Sequence, residues 1–297
     1  MSHSIGVDLG GTNIKTVAVS PDGQVLQFLT SDTADPEGSW PQTIKAQLER
    51  IERLLGEPPC NIGVASPGLA AKDGRSIAYM QGRLNGLEGF VWTDFLKTTK
   101  PVFVLNDAHA ALLGEVWQGA AKGYANVILL TLGTGVGGAV LIDGKLIKGQ
   151  IGRTGHLGHT SVNSDGEPDI VRTPGSLEEM IGNYNLKQRS AGKFESTRQL
   201  VEAHLAGDEY ATKIWLRSVF HLAVAIASFI NAFDPEVVII GGGIAKAGTA
   251  LFDPLRSYLD KVEWRPMGHT VPVMAASLGE SAGAIGAAYN SIVESAS

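Results

Sequence analysis

Cysteine is all but absent: Cys60 is the one cysteine among 297 residues. An intramolecular disulfide is therefore excluded, and so is a zinc cage built from thiolates. The chain also lacks any long run of one charge. Its 24 Lys and Arg face 30 Asp and Glu for a net charge of −6. A nucleic-acid binder needs a basic face or stripe, so that class is set aside. An anionic ligand would have to be caught by local dipoles and a cation, against the overall field. The start of the chain, Met1-Ser2-His3-Ser4, has no signal-peptide pattern. The longest apolar stretch, residues 219–233, carries His221, Ser228 and Asn231, which favours a buried core helix over a membrane span. A cytoplasmic protein with no membrane partner is expected.

What the chain does have is glycine, 37 residues against 13 prolines, and the glycines cluster. The length exceeds what one core comfortably serves, and 44% hydrophobic with 18% charged residues is an ordinary globular mixture, so two domains are expected. Residues 5–9 alternate as a strand and run into Gly10-Gly11-Thr12; strands at 16–19 and 25–29 follow around Pro21-Asp22-Gly23. Ile44, Leu48, Ile51 and Leu55 share a helical face that stops at Gly56. Strands are expected at 61–65 and 102–105, the second entering a helix at Asn106-Asp107. The aliphatic strand 127–132 then meets Gly133-Thr134-Gly135-Val136-Gly137-Gly138, and a strand, an Asp-Gly turn and another strand follow. That unit repeats the N-terminal one, which predicts two similar domains. Residues 152–182 lack periodicity and read as loop over a site. A strand at 237–240 ends in Gly241-Gly242-Gly243, and the Ala- and Gly-rich stretch 279–293 predicts a closely packed helix.

The glycine turns carry the chemistry. Glycine lets backbone N–H groups approach a phosphate with no Cβ in the way. At the first turn, Gly10, Gly11 and the Thr12 hydroxyl are candidate phosphate contacts, with Lys15 in the following strand. Asp8, at the end of the strand before it, is placed to hold Mg²⁺ through water. Taken alone, such a turn is equally well a tight hairpin. Gly133, Thr134 and Gly135 repeat the pattern, and two such turns can grip one polyphosphate from both sides. Gly241, Gly242 and Gly243 suit close packing of a flat nucleotide, or simply a tight strand–helix junction. No Gly-Lys-(Ser/Thr) follows any of the turns, which excludes a Walker A loop. The first turn leads into a strand and not a helix, which argues against a dinucleotide fingerprint. Asp107, between strand and helix, is either an N-cap or a general base taking a proton from an attacking hydroxyl. Asn106 beside it can hydrogen-bond a polyol. His156 and His159 are a candidate metal pair with no third ligand at a recognised spacing, or contacts for a sugar hydroxyl.

Together these motifs resemble the ROK family (repressors, open reading frames and sugar kinases) over nearly the whole chain. Asp8-Leu9-Gly10-Gly11-Thr12 and Leu132–Gly138 are similar to its two phosphate motifs, Asn106-Asp107-Ala108-His109-Ala110 to its catalytic segment, and Ile240-Gly241-Gly242-Gly243-Ile244 to its adenosine motif. The resemblance implies an α/β chain with the two-domain, actin-like ATPase (ribonuclease H-like) fold and an active-site cleft between the domains. The boundary is expected at Asp107: residues 1–107 with a returning helix at about 283–297, and residues 108–282. It further implies ATP and Mg²⁺ as cofactors, Asp107 as the base, and a sugar pocket formed by Gly68, Asn85, Asn106, His156, His159 and Glu178. The reaction implied is transfer to a sugar hydroxyl, usually that on C6, by a homodimer.

Two departures from the family pattern matter. Its zinc motif, Cys-x-Cys-Gly-x-x-Gly-Cys, is missing, and Ser176 stands where the last cysteine would be; no zinc site is expected. His156 replaces the glutamate found in most family glucokinases, and His-x-Gly-His is similar to some N-acetylmannosamine kinases. A hexose or N-acylhexosamine kinase is therefore the leading expectation. Another polyol kinase and a catalytically silent sugar sensor are the alternatives. A sugar-sensing repressor is disfavoured, because the chain begins directly at the first phosphate strand with no room for a helix-turn-helix domain.

Overall fold

The computed structural model describes residues 2–33, 38–80 and 84–296. The chain divides into two compact units, one of residues 1–123, 146–154 and 277–297, the other of residues 124–145 and 155–276.

In the first unit, β1 (Ser4–Leu9), β2 (Asn13–Val19) and β3 (Val25–Asp32) form an antiparallel meander through the first glycine turn and the Pro21-Asp22-Gly23 turn. Helix α1 (Trp40–Leu55) buries Ile44, Leu48 and Ile51 and ends at Gly56 with φ +77°, a left-handed position that suits glycine. Strand β4 (Asn61–Ser66), the small hairpin β5 (Leu69–Ala70) and β6 (Ile77–Tyr79), and helix α2 (Trp92–Leu96) follow. Strand β7 (Phe103–Asn106) runs straight into α3 (Asp107–Gln118). The sheet order is β3-β2-β1-β4-β7, with β1–β4 and β4–β7 parallel. Alternation along β1 sorts its residues: Ile5, Val7 and Leu9 enter the core that α1 covers, and Ser4, Gly6 and Asp8 belong to the opposite face.

The second unit repeats this order. Strands β8 (Val127–Leu132), β9 (Val136–Ile142) and β10 (Lys145–Leu146) make the meander. Helices α4 (Leu177–Ile181), α5 (Leu186–Arg189), α6 (Thr197–Leu205) and α7 (Glu209–Phe233) come next. Strand β11 (Val237–Gly241), α8 (Thr249–Val262) and β12 (Val273–Ala275) complete it. Its sheet runs β10-β9-β8-β11-β12, with β8–β9 antiparallel and β8–β11 and β11–β12 parallel, as β1–β2, β1–β4 and β4–β7 are in the first. Helix α7 is long and apolar enough by composition to span a membrane; here Trp215, Val219, Leu222, Ala223 and Ile226 are fully buried in the unit's core.

Helix α9 (Ala282–Ala296) returns to the first unit and packs on β1, β4 and α3. The approach is backbone to backbone. A Cβ on Gly63 of β4 would stand 2.0 Å from the Ala287 oxygen, and one on Gly286 would stand 1.7 Å from the Ala110 oxygen of α3. This packing holds α3 with the first sheet. The division therefore falls after Gly123 and not at Asp107, and residues 146–154 and 277–281 also go with the first unit. The stretch 152–182, read as loop, contains a 3-10 turn at Leu157–His159 and helix α4.

Candidate active site

In the first unit the glycine turn is closed by a Gly10 N–H to Asn13 oxygen bond of 3.0 Å and fastened to the end of β3 through Thr33, whose N–H donates to the Thr12 oxygen at 2.7 Å. The Thr33 hydroxyl donates to the Gly10 oxygen at 2.8 Å. Thr12 and Gly11 are exposed, and Gly10 is half-buried. Asp8 stands opposite Lys15 across the β1–β2 pair. Its carboxylate lies beside the start of α9, where a Cβ on Gly283 would come within 2.8 Å of Oδ2. Burial, then the nearby Asp107 carboxylate, push the Asp8 pKa up to about 7, and Lys15 pulls it back only in part. Lys15 is itself 3.7 Å from Glu280.

The junction of β7 and α3 answers which residue caps the helix. Asn106 is the N-cap: its Oδ1 accepts from the N–H groups of Ala108 at 3.0 Å and His109 at 3.2 Å, while its Nδ2 donates to the Gly68 oxygen at 3.1 Å. Gly68 has φ +100°, and a Cβ there would strike the Tyr79 oxygen at 2.6 Å, so the residue must be glycine. Asp107 is thus the first helical residue, exposed at the C-terminal edge of the sheet, with its Oδ1 accepting from the Ala108 N–H at 2.8 Å. Asn85 is exposed, and its backbone oxygen accepts from the Trp40 indole.

In the second unit, the Gly133 N–H donates to the Gly135 oxygen at 2.9 Å, and the Gly133 and Thr134 oxygens accept from the N–H groups of Asn183 and Tyr184, each at 3.0 Å. Glu178 of α4 braces the same turn: its Oε2 accepts from the Val136 N–H at 2.8 Å. A side chain at position 135 would collide with that carboxylate, its Cβ being 2.2 Å from Oε2. Gly242 has φ +86° and lies against the backbone of Leu132, which ties the third glycine cluster to the strand preceding the second. Between these clusters lies a cavity of about 700 Å³ lined by Gly133, Thr134, Asn183, Gly243, Ile244 and Lys246, with Val201 and Leu205 of α6 and Ala247 adding an apolar wall. Gly135, Gly241 and Gly242 are not among the residues that line it.

His156 caps the 3-10 turn that carries His159. The His159 Nδ1 is 2.8 Å from Oδ2 of Asp169, whose side chain is fully buried. An ionised carboxylate only accepts, so Nδ1 carries the proton and a neutral ring offers Nε2 as an acceptor. Asp169 is also the hub of the loop that lacks cysteines: its Oδ1 accepts from the Val171 and Thr173 N–H groups at 3.0 and 2.8 Å. Burial pushes its pKa up, but hydrogen bonds from His159, Thr173 and Ser176 outweigh that and leave it below the usual carboxylate range. Backbone bridges Ser161–Ser176 and Pro168–Pro174 close the loop. No group of three or more His, Cys, Asp or Glu able to hold a metal occurs among the described residues.

Sequence reasoning did not single out Asp169, nor the cavity-lining Asn183, Val201, Leu205 and Lys246. An Asp within a Gly- and Pro-rich stretch reads as a solvated turn, and the α6 residues follow no fixed spacing from a glycine motif. The one available signal was Asp169-x-Val171-x-Thr173, the spacing of an Asx turn.

The chain matches proteins of one family throughout. The sequence profile of the ROK family covers residues 4–292. A glucokinase of Thermotoga maritima is 36% identical over 96% of this chain and 95% of its own. The crystal structure of a ROK hexokinase from Thermus thermophilus superposes with a TM-score of 0.86 at 30% identity, covering 99% of both chains. That of a ROK glucokinase from Streptomyces griseus, in complex with glucose and AMPPNP, does so with a TM-score of 0.80 at 28% identity, covering 98% of this chain and 100% of the other. The expected actin-like ATPase fold is the fold these matches share. With the duplicated sheet units and glycine turns described above, they establish that the chain belongs to the ROK family and is an ATP-dependent carbohydrate kinase.

Proposed function

We propose that the chain transfers the γ-phosphoryl group of MgATP to the C6 hydroxyl of a hexose or N-acylhexosamine, with Asp107 as general base. The observation that carries this reading is the division of labour at the β7–α3 junction. Asn106 does the capping, and the Asp107 carboxylate stands exposed at the helix start, where it can take the hydroxyl proton as that oxygen attacks. Asn106, through the Gly68 oxygen, positions it. Gly68, Asn85, His156, His159 and Glu178 are the remaining sugar contacts in this reading. His159 Nε2 accepts from a sugar hydroxyl, and Glu178 keeps Oε1 for the ligand while Oε2 braces the second turn.

The 700 Å³ cavity suits the nucleotide: an apolar wall for a base, and the Gly133 and Thr134 turn for its phosphates. Gly10, Gly11, Thr12 and Lys15 are the remaining phosphate contacts in this reading. Asp8 fits a magnesium ion held through water. Its carboxylate is pushed up to about 7 by burial and by Asp107, and a divalent cation is what relieves two neighbouring carboxylates. Bound there, the cation would neutralise phosphate charge. A cytoplasmic homodimer completes the proposal.

His156 favours a second reading for the substrate. An imidazole in place of an acceptor carboxylate changes which hydroxyl or acetamido group is preferred, so N-acetylmannosamine stands beside glucose. ADP release from MgATP, measured with glucose, mannose, fructose, allose, N-acetylglucosamine and N-acetylmannosamine, separates them. Sugar-dependent release is expected, falling about a thousandfold or more in Asp107→Ala at unchanged circular dichroism. Turnover by that variant at the wild-type rate would remove Asp107 as base. Release with none of the six would turn the reading to another polyol or to a silent sensor.

A further inference from the structure

A second cavity, of about 350 Å³, lies in the second unit among α4, α5 and α7, and neither of the proposed substrates uses it. Its charge is one-sided. Tyr210, Lys213, Arg217 and His221 recur at helical spacing on one face of α7 and line it, and Arg189 of α5 lines it from across. Lys193 adds a further cation, its Nζ 3.8 Å from the centroid of the Tyr210 ring.

Tyr210 donates its hydroxyl to the Ser190 oxygen at 3.1 Å, but several of the charged groups lack the partners that such groups ordinarily find. Lys213 and Arg217, both exposed, take part in no ion pair or hydrogen bond among the described residues. Nε of Arg189 and Nε2 of His221 are sealed from solvent without a hydrogen-bond partner. Glu179 is the acid whose charge Arg189 feels, but both of its carboxylate oxygens are taken by Tyr184 and Asn185, which donate to them. In a chain of net charge −6, Lys213 and Arg217 gathered beside Arg189 and left without an ion pair repel it and one another with nothing gained in the empty protein. A buried donor without an acceptor, as Arg189 Nε is, costs more still. One occupant resolves both features: a small anion with several acceptor oxygens, which Arg and Lys recognise through charge-assisted bonds.

We propose that this cavity is a second ligand site, for a small phosphate-bearing anion, and that its occupancy is felt at the nucleotide cavity. The connection runs through Arg189. Its Nη1 donates to the Glu179 oxygen at 2.7 Å and the Gly182 oxygen at 2.8 Å, at the end of α4. The next two residues, Asn183 and Tyr184, donate their N–H groups to Gly133 and Thr134 of the second glycine turn. An anion that fixes the Arg189 guanidinium fixes the C-terminus of α4 and, with it, the turn that lines the nucleotide cavity. Nucleotide and anion then tighten each other's binding by the same factor.

The test is calorimetric titration of the full chain, saturated with AMPPNP without added magnesium, using inorganic phosphate, pyrophosphate and a hexose 6-phosphate as separate probes at low salt. One site per chain is expected, at least tenfold weaker in the double variant Lys213→Ala/Arg217→Ala. Both residues are exposed, so the variant keeps its fold and its turnover without anion. Pyrophosphate binding identifies phosphate chemistry in general as the ligand; binding confined to the hexose 6-phosphate and lost in the double variant identifies a sugar phosphate, whereas hexose 6-phosphate binding that the variant keeps is product held at the active site and overturns the site. AMPPNP affinity should rise at least threefold with the anion bound, and not in the double variant. No binding by any probe, or equal binding by the variant, overturns the site; an unchanged AMPPNP affinity overturns the coupling.

Discussion

Asp8 costs the fold more than it returns. Its pKa, pushed from 3.8 to about 7 by burial and by Asp107, means that the folded state holds the Asp8 proton more tightly than the unfolded state does. By linkage, that raised value makes stability fall as pH climbs from 3.8 to about 7, and the contribution is fully lost above. The penalty is on the order of a few kcal/mol at neutral pH. Asp8→Asn removes it. The metal-free variant is expected to melt a few degrees above wild type at pH 8 and level with it near pH 4, while losing sugar-dependent turnover. Melting curves at the two pH values check this, and equal melting at pH 8 would show that the carboxylate is not under strain. The sequence placed Asp8 correctly at the end of a strand before a glycine turn, because period-2 alternation and a turn are local signals. Its closeness to the α9 terminus and to Asp107 depends on chain segments far apart in sequence, and no local pattern reports that.

At the scale of elements, the glycine turns were legible and the helix that binds the first unit together was only half so. Ala- and Gly-rich composition announced that α9 would pack closely. It did not say that α3 would be the partner, which is why a boundary at Asp107 was expected and the chain divides after Gly123. Glu115 fastens the same pair. Fully buried in α3, it accepts from the N–H groups of Ser277 at 3.0 Å and Leu278 at 2.9 Å, just ahead of α9, and of Ala120 at 2.7 Å, just past α3. Nothing in the sequence separates this residue from a surface glutamate on an amphipathic helix. Glu115→Ala leaves three backbone donors without an acceptor, and a loss of about 3 kcal/mol or more is expected. Glu115→Gln keeps one acceptor oxygen and should lose clearly less. Denaturant unfolding of the two variants checks the order, and equal losses would mean that packing, not the hydrogen bonds, is what Glu115 supplies.

For the whole molecule, the missing cysteines raise the question of what replaces a structural metal. A zinc site that closes a loop contributes its binding energy to folding, so such proteins lose stability to chelators. Here the loop between His159 and α4 is closed by a carboxylate. Asp169 receives His159 Nδ1 on one oxygen and two backbone N–H groups on the other, and the Ser161–Ser176 bridge brings its ends together. A buried carboxylate with that many donors does locally what a tetrahedral ion does, and it orients the histidine as well. Two outcomes follow. Elemental analysis should find no stoichiometric zinc, and a strong chelator should leave the melting temperature of the magnesium-free protein unchanged. Asp169→Asn, which exchanges one acceptor oxygen for a donor, should do what a chelator does to a zinc-bearing relative. It should increase proteolysis of the 160–176 loop and weaken sugar binding through His159, with the nucleotide affinity kept within about threefold of wild type. One zinc per chain, or an Asp169→Asn loop as resistant to protease as wild type, would return the closure of this loop to a metal or to backbone packing alone.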